Sequence, residues 1–136
     1  MITVRRKVHF VRREHGRQVL AVAPPRVAEV PAGRIPRASR LMALAIHFDR
    51  LIRQGTVKDI SELARLAHVT QPRMTQIMNL NHLAPDIQEE LLFLPLVEAG
   101  RDRVHEKVLR PLAATPEWRL QRREWATIRA SAGRQV

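Results

Sequence analysis

The sequence predicts a mainly α fold: a helix-turn-helix bundle with a small N-terminal β-hairpin. Apolar residues recur at i, i+3, i+4, i+7 spacing from residue 38 onward, the period of a helix with one buried stripe. Residues 59–78 hold two sets of helix-start signals separated by a short turn. Alternation with period two, the mark of a half-buried strand, is found in residues 2–22.

In the hairpin (1–22), Ile2, Val4, Val8 and Phe10 fall on one face, with Arg5, Lys7 and His9 on the other. Arg13-Glu14-His15-Gly16 supplies the turn, Gly16 accepting positive φ, and Gln18 to Val22 return. A lone hairpin is unstable in water and must dock on something. It is read either as a basic wing on DNA or as the edge through which two copies pair. Residues 23–37 form a Pro/Arg-rich linker or arm, with Pro24, Pro25, Pro31 and Pro36 among Arg26, Arg34 and Arg37. Arg-bearing arms can lie in a DNA minor groove; a plain connector is the alternative.

The bundle spans 38–114. Its first helix, 38–54, buries Leu41, Leu44, Ala45, Phe48, Leu51 and Ile52 and ends at Gly55. Asp59 then caps a helix over 60–67, and Glu62, three residues on, completes a capping box by bonding back to the cap. Leu63, Ala64 and Ala67 share one face. Ala64 keeps the crossing with the next helix close. His68-Val69 is the turn, and Thr70 caps the second helix, whose first turn tolerates Pro72 because the missing N–H has no partner there anyway. The turn favours a left-handed backbone, for which Gly is the usual residue; His68 occupies that place. Met74, Ile77 and Met78 point inward. Gln71, Arg73, Thr75, Gln76 and Asn79 are left facing outward. A helix from Pro85 to about Leu94 and another over 103–113, using Val104, Val108, Leu109 and Leu112, complete the bundle.

Thr115-Pro116-Glu117 opens a basic C-terminal helix in the 115–136 segment. Trp118 and Trp125, seven apart, share a side and either anchor the helix to its own core or form a dimer contact. Arg119, Arg122, Arg123 and Arg129 decorate the same helix.

The net charge is +11 and unevenly spread. Residues 1–40 hold ten Lys/Arg against two Asp/Glu, residues 41–100 five against seven, and residues 101–136 nine against four. Basic ends flank a slightly acidic middle, so affinity for a polyanion would come from the ends, where Arg binds phosphate as a fork as well as by charge. The bland reading of the arginines is genome composition. The outward set in the middle carries different chemistry. Gln and Asn pair with the edge of adenine, Arg with guanine, and Thr with a phosphate or a thymine methyl.

Several functions are disfavoured. Absent Cys excludes disulfides and thiolate metal sites and fits a cytoplasmic protein. No run approaches the roughly 20 apolar residues needed to span a bilayer. Absent Tyr and few aromatics disfavour single-strand binding by stacking. The histidines (His9, His15, His47, His68, His82, His105) form no metal-ligand spacing, and no glycine-rich phosphate loop or nucleophile elbow exists. Ser39 and Ser61 read as helix-start residues. Asp86, Glu89 and Glu90 are explained by the dipole of the helix they open. No cofactor and no enzyme activity are expected.

Residues 60–94, with the Leu63-Ala64 start, the Thr70 cap, the Leu80…Leu83 run and Ala84-Pro85-Asp86-Ile87-Gln88-Glu89, resemble the helix-turn-helix region of ParB/KorB-type DNA-binding proteins. The resemblance implies that Thr70, Gln71, Arg73, Thr75 and Gln76 lie at the DNA. The arginine-rich Gly-Glu-Arg-Arg nucleotide motif of that family is missing, Gly33-Arg34-Ile35-Pro36-Arg37 being a poor substitute, so CTP hydrolysis and a sliding clamp are not implied. In overall pattern the chain is also similar to small helix-turn-helix proteins of mobile elements that accompany site-specific recombinases.

These readings together imply sequence-specific binding of double-stranded DNA by a homodimer, as a regulator or a recombination accessory factor of a mobile element, with a recombinase among the candidate partners. Base reading falls to Gln71, Arg73, Thr75, Gln76 and Asn79. Phosphate contacts fall to Thr70, Arg5, Lys7, Arg119, Arg122 and Arg123. The contrasting expectation is a protein-interaction adaptor, whose helix pair is a scaffold and whose nucleic-acid contact is non-specific.

Overall fold

The computed structural model describes residue 3 and residues 8–12, 18–22 and 32–134. The chain divides into two units at Pro31. In the first unit, strands β1 (Val8–Arg12) and β2 (Gln18–Val22) pair antiparallel, with Val8 opposite Val22, Phe10 opposite Leu20 and Arg12 opposite Gln18. The turn expected at 13–16, Arg5 and Lys7, and most of the Pro/Arg-rich segment lie outside the described residues.

The second unit is mainly helical, with six α-helices among the described residues: α1 (Arg37–Arg53), α2 (Ile60–Leu66), α3 (Gln71–Met78), α4 (Pro85–Leu92), α5 (Glu106–Ala114) and α6 (Trp118–Gly133). A 3-10 turn, Asn79–His82, follows α3 directly. None of these helices is long and apolar enough to cross a membrane.

Two apolar clusters hold the unit together. The larger joins Leu41, Met42 and Ala45 of α1 to Leu83, Ile87 and Leu91 around α4, Leu109 and Leu112 of α5, and Trp125 of α6. The smaller is local to the helix pair: Val57, Leu63, Ala64, Met74 and Met78, closed on one side by Phe48, Leu51 and Ile52 of α1. A single long helix therefore braces both clusters, its Leu41/Ala45 end in one and its Leu51/Ile52 end against the other. Full burial of a Leu, Ile or Met side chain contributes about 1.5–3 kcal/mol, so these clusters supply the main driving force.

Buried polar groups tie the elements where their backbones would otherwise go unpaired. Ser39 does not cap α1, whose N-cap is Pro36. It is buried, and its Oγ donates to the Leu91 carbonyl at the end of α4, at 2.6 Å. Asn81 Nδ2 donates to the Ala45 carbonyl, and Gln88 Nε2 donates to the carbonyls of Asn81 and Leu83. Gln121 is completely buried. Its Oε1 accepts from the Ala84 N–H at 2.8 Å while its Nε2 donates to the carbonyls of His82 and Thr115. One amide thus pins α6 to the start of α4, to the 3-10 turn and to the end of α5.

Some expected inward positions are not buried. Leu44, Ala67 and Val108 are exposed, because each lies at the margin of its helix's apolar stripe and no facing element covers it. The helix expected to reach Leu94 ends at Leu92, and the one expected from 103 begins at Glu106, with Val104 buried just before it. The last residues of the expected linker are structured. Arg34 forms a backbone bridge to Val97, its guanidinium pairs with Asp102, and Asp102 also accepts from the Arg37 N–H at the start of α1. Burial opposes ionisation of Asp102. The Arg37 N–H and the Arg34 guanidinium outweigh it and hold the carboxyl below its ordinary pKa.

Candidate nucleic-acid interface

The α2–turn–α3 pair is built by local chemistry. Asp59 caps α2 by accepting from the Glu62 N–H at 2.9 Å. Glu62 reaches back, as expected, but one residue further: its Oε2 accepts from the Lys58 N–H rather than from that of Asp59. At the other end, the Val69 N–H bonds the Ala64 carbonyl and the His68 N–H bonds the Arg65 carbonyl, closing the helix with a left-handed residue between. That residue is His68, with φ of 57°, the only non-Gly residue with positive φ among those described. Thr70 Oγ1 then accepts from the Arg73 N–H, and Pro72 sits in the first turn of α3. Met74, Ile77 and Met78 are buried, and Gln71, Thr75, Gln76 and Asn79 are exposed. Thr75 Oγ1 donates to the Gln71 carbonyl of its own helix, and the residue stays exposed.

Arg73 departs from the expectation. It does not stand free on the outer face. Its guanidinium forms a fork with the Glu106 carboxylate at the start of α5, pairing Nη1 with Oε1 and placing Nη2 3.2 Å from Oε2. The pair is only partly exposed, 25% for Arg73 and 14% for Glu106. Arg110, one turn along α5, approaches the same carboxylate at 3.5 Å, and Arg73 Nη1 lies 3.4 Å from Gln76 Oε1. The hydrogen bond from Arg73, helped by the charges of Arg73 and Arg110, holds Glu106 below the usual carboxylate pKa against the cost of burial. A depressed folded-state value means that the pair stabilises the fold above the unfolded pKa of Glu. That contribution is lost as pH falls through the lower, folded value.

The arginines of α6 divide into two groups. Arg122 pairs with Asp86 through Nε, at 3.1 and 3.2 Å from the two carboxylate oxygens, and this hydrogen bond is the main reason the Asp86 carboxyl titrates below its ordinary value. Arg129 pairs with Glu90, which also accepts from Trp125 Nε1 at 2.9 Å. Asp86 and Glu90 thus hold α6; only Asp86 lies in the first turn of α4, where the helix dipole favours an acid, and Glu89 and Glu90 lie beyond it. Arg119 and Arg123 are exposed and form no ion pair among the described residues. The two tryptophans part company. Trp125 is in the core, while Trp118 is 47% exposed, with its Nε1 donating to the His82 carbonyl beside Asn79 in an open cleft.

Of the residues singled out in the sequence, the helix pair brings together Thr70, Gln71, Thr75, Gln76 and Asn79 on and around α3. Glu106, Arg110 and Gln121 were not anticipated. Glu106 lies 33 residues from Arg73, and Gln121 lies 37 and 39 residues from Ala84 and His82, and no spacing rule reaches that far. Among the described residues there is no group of His, Asp and Glu able to hold a metal ion. The geometry defines a class: a helical bundle presenting a short, capped helix with an uncharged polar face. No family model, curated protein or solved structure matches the chain.

Proposed function

We propose that this chain binds double-stranded DNA sequence-specifically, with α2 and α3 acting as a helix-turn-helix and α3 entering the major groove. The observation that carries this reading is the outward row of Gln71, Thr75, Gln76 and Asn79 on a helix whose inner face is buried and whose N-terminus is capped. Amide side chains at base edges discriminate by paired donor and acceptor, and the N-terminal part of such a helix is the part that reaches bases. The left-handed His68 supports it further, since it sets the sharp turn between helices that lets one cross the backbone while the other lies in the groove. Arg119 and Arg123, with the basic N-terminal residues, would add phosphate contacts that position the protein without reading sequence. A homodimer would place two copies of α3 in successive major grooves about 34 Å apart, as a ParB/KorB-like regulator or a recombination accessory factor would.

The test is a selection from random-sequence duplexes, run beside the Gln71→Ala/Gln76→Ala double variant. Enrichment of a recurrent site by the native chain, with discrimination relaxed by about 1–3 kcal/mol at each position the variant no longer reads, is the expected result. Equal enrichment by both proteins, or none by either, sinks the reading and leaves α3 as part of a protein-binding scaffold.

A further inference from the structure

Arg73 is the only charged side chain of α3. A free arginine on a helix lying against DNA binds any nearby phosphate, which raises affinity for every sequence and discrimination for none. Here that arginine is tied down twice. Its backbone N–H is held by the Thr70 cap, and its guanidinium is held in a two-pronged pair by a carboxylate from a different helix. Forked pairing of this kind fixes orientation as well as charge. Glu106 is well shielded, and Arg110 approaches the same Oε1 that Arg73 Nη1 holds, so one carboxylate engages two cations.

We propose that Glu106 is a specificity-determining residue: it withholds Arg73 from the DNA backbone and leaves α3 to read bases with uncharged amides and a hydroxyl. The inference rests on the DNA-binding reading above. Its physical content is a repulsive element. A phosphate that recruited Arg73 would have to displace the Glu106 carboxylate and then face it, a cost that non-specific DNA does not repay with base contacts. Arg73 then bridges α3 to α5 and does not read guanine.

The test compares native protein, Glu106→Gln, Arg73→Gln and the double variant on two probes, a random-sequence duplex and the duplex enriched by selection, from about 50 to 200 mM salt. Glu106→Gln should bind the random duplex more tightly and steepen the salt slope by about 0.9. Its advantage should therefore shrink about threefold across that salt range, and its preference for the selected duplex should fall. Arg73→Gln alone should keep the native preference, and the double variant should return to the native slope if the released cation is Arg73. A Glu106→Gln slope equal to the native one overturns the proposal. So does a loss of preference in Arg73→Gln as large as that in Gln71→Ala/Gln76→Ala, which would make Arg73 a base reader. Should Glu106→Gln fail to fold, Glu106→Asp, whose shorter side chain loosens its hold on Arg73, takes its place: a slope steeper than the native one supports the proposal and a native slope overturns it. Native protein that binds neither duplex sinks the DNA-binding reading itself; native binding with an unmoved variant slope sinks only the role of Glu106.

Discussion

Helices α3 and α6 both carry polar faces expected to meet DNA, yet they spend those faces differently. On α3 the uncharged residues stay outward and the single cation is taken by α5. On α6 the amide of Gln121 is consumed in the interior, and Arg122 and Arg129 are taken by Asp86 and Glu90 of α4; only Arg119 and Arg123 carry cations without an ion pair among the described residues. A count of arginines therefore overstates the charge a helix can offer. What reaches a partner is what the acids of neighbouring helices leave over. Asp86 and Glu90 come from the slightly acidic middle of the sequence, whereas Glu106 comes from the basic C-terminal segment.

The largest test of the contrast concerns Gln121. If α6 is pinned through that amide, Gln121→Leu leaves the buried Ala84 N–H and the Thr115 carbonyl without a partner, while the His82 carbonyl keeps Trp118 Nε1, and should cost about 3 kcal/mol in urea unfolding. A loss under about 1 kcal/mol would mean that α6 is held by Trp125 and its ion pairs instead. On α3 the corresponding local device is smaller. Thr70→Ala removes one cap bond and should cost about 1 kcal/mol, with a parallel fall in helix content near the turn by hydrogen exchange. The smallest effect separates the two groups of arginines. Arg122→Ala, already paired with Asp86 on the surface, should change stability by no more than about 1 kcal/mol and leave the salt slope of duplex binding nearly unchanged. Arg119→Ala should flatten that slope by about 0.9. Equal slopes for the two variants would erase the distinction drawn between paired and unpaired cations.

Much of the α2–α3 pair was legible in the sequence because its determinants are local. The Asp59 and Thr70 caps, the Pro72 position, the left-handed turn at His68 and the inward Met74, Ile77 and Met78 all depend on neighbours within one or two turns. The reach of Glu62 to Lys58 rather than Asp59 is a one-residue difference in the same local chemistry. Leu44 and Val108 were misplaced because helical period identifies a stripe but not its edges; which edge is covered depends on the crossing of a second helix.

By itself, then, the sequence determined the mainly helical class, the helix starts at Asp59, Thr70 and Pro85, and the short capped helix with its amide-bearing face, because backbone capping and apolar period act over three or four residues. Only the tertiary structure decided which polar side chains remain available. Arg73 is removed by Glu106, Arg122 by Asp86, Arg129 by Glu90 and Gln121 by the backbone of α4 and its neighbours. Those partners lie more than thirty residues apart in the chain, and nothing short of packing the helices brings them together.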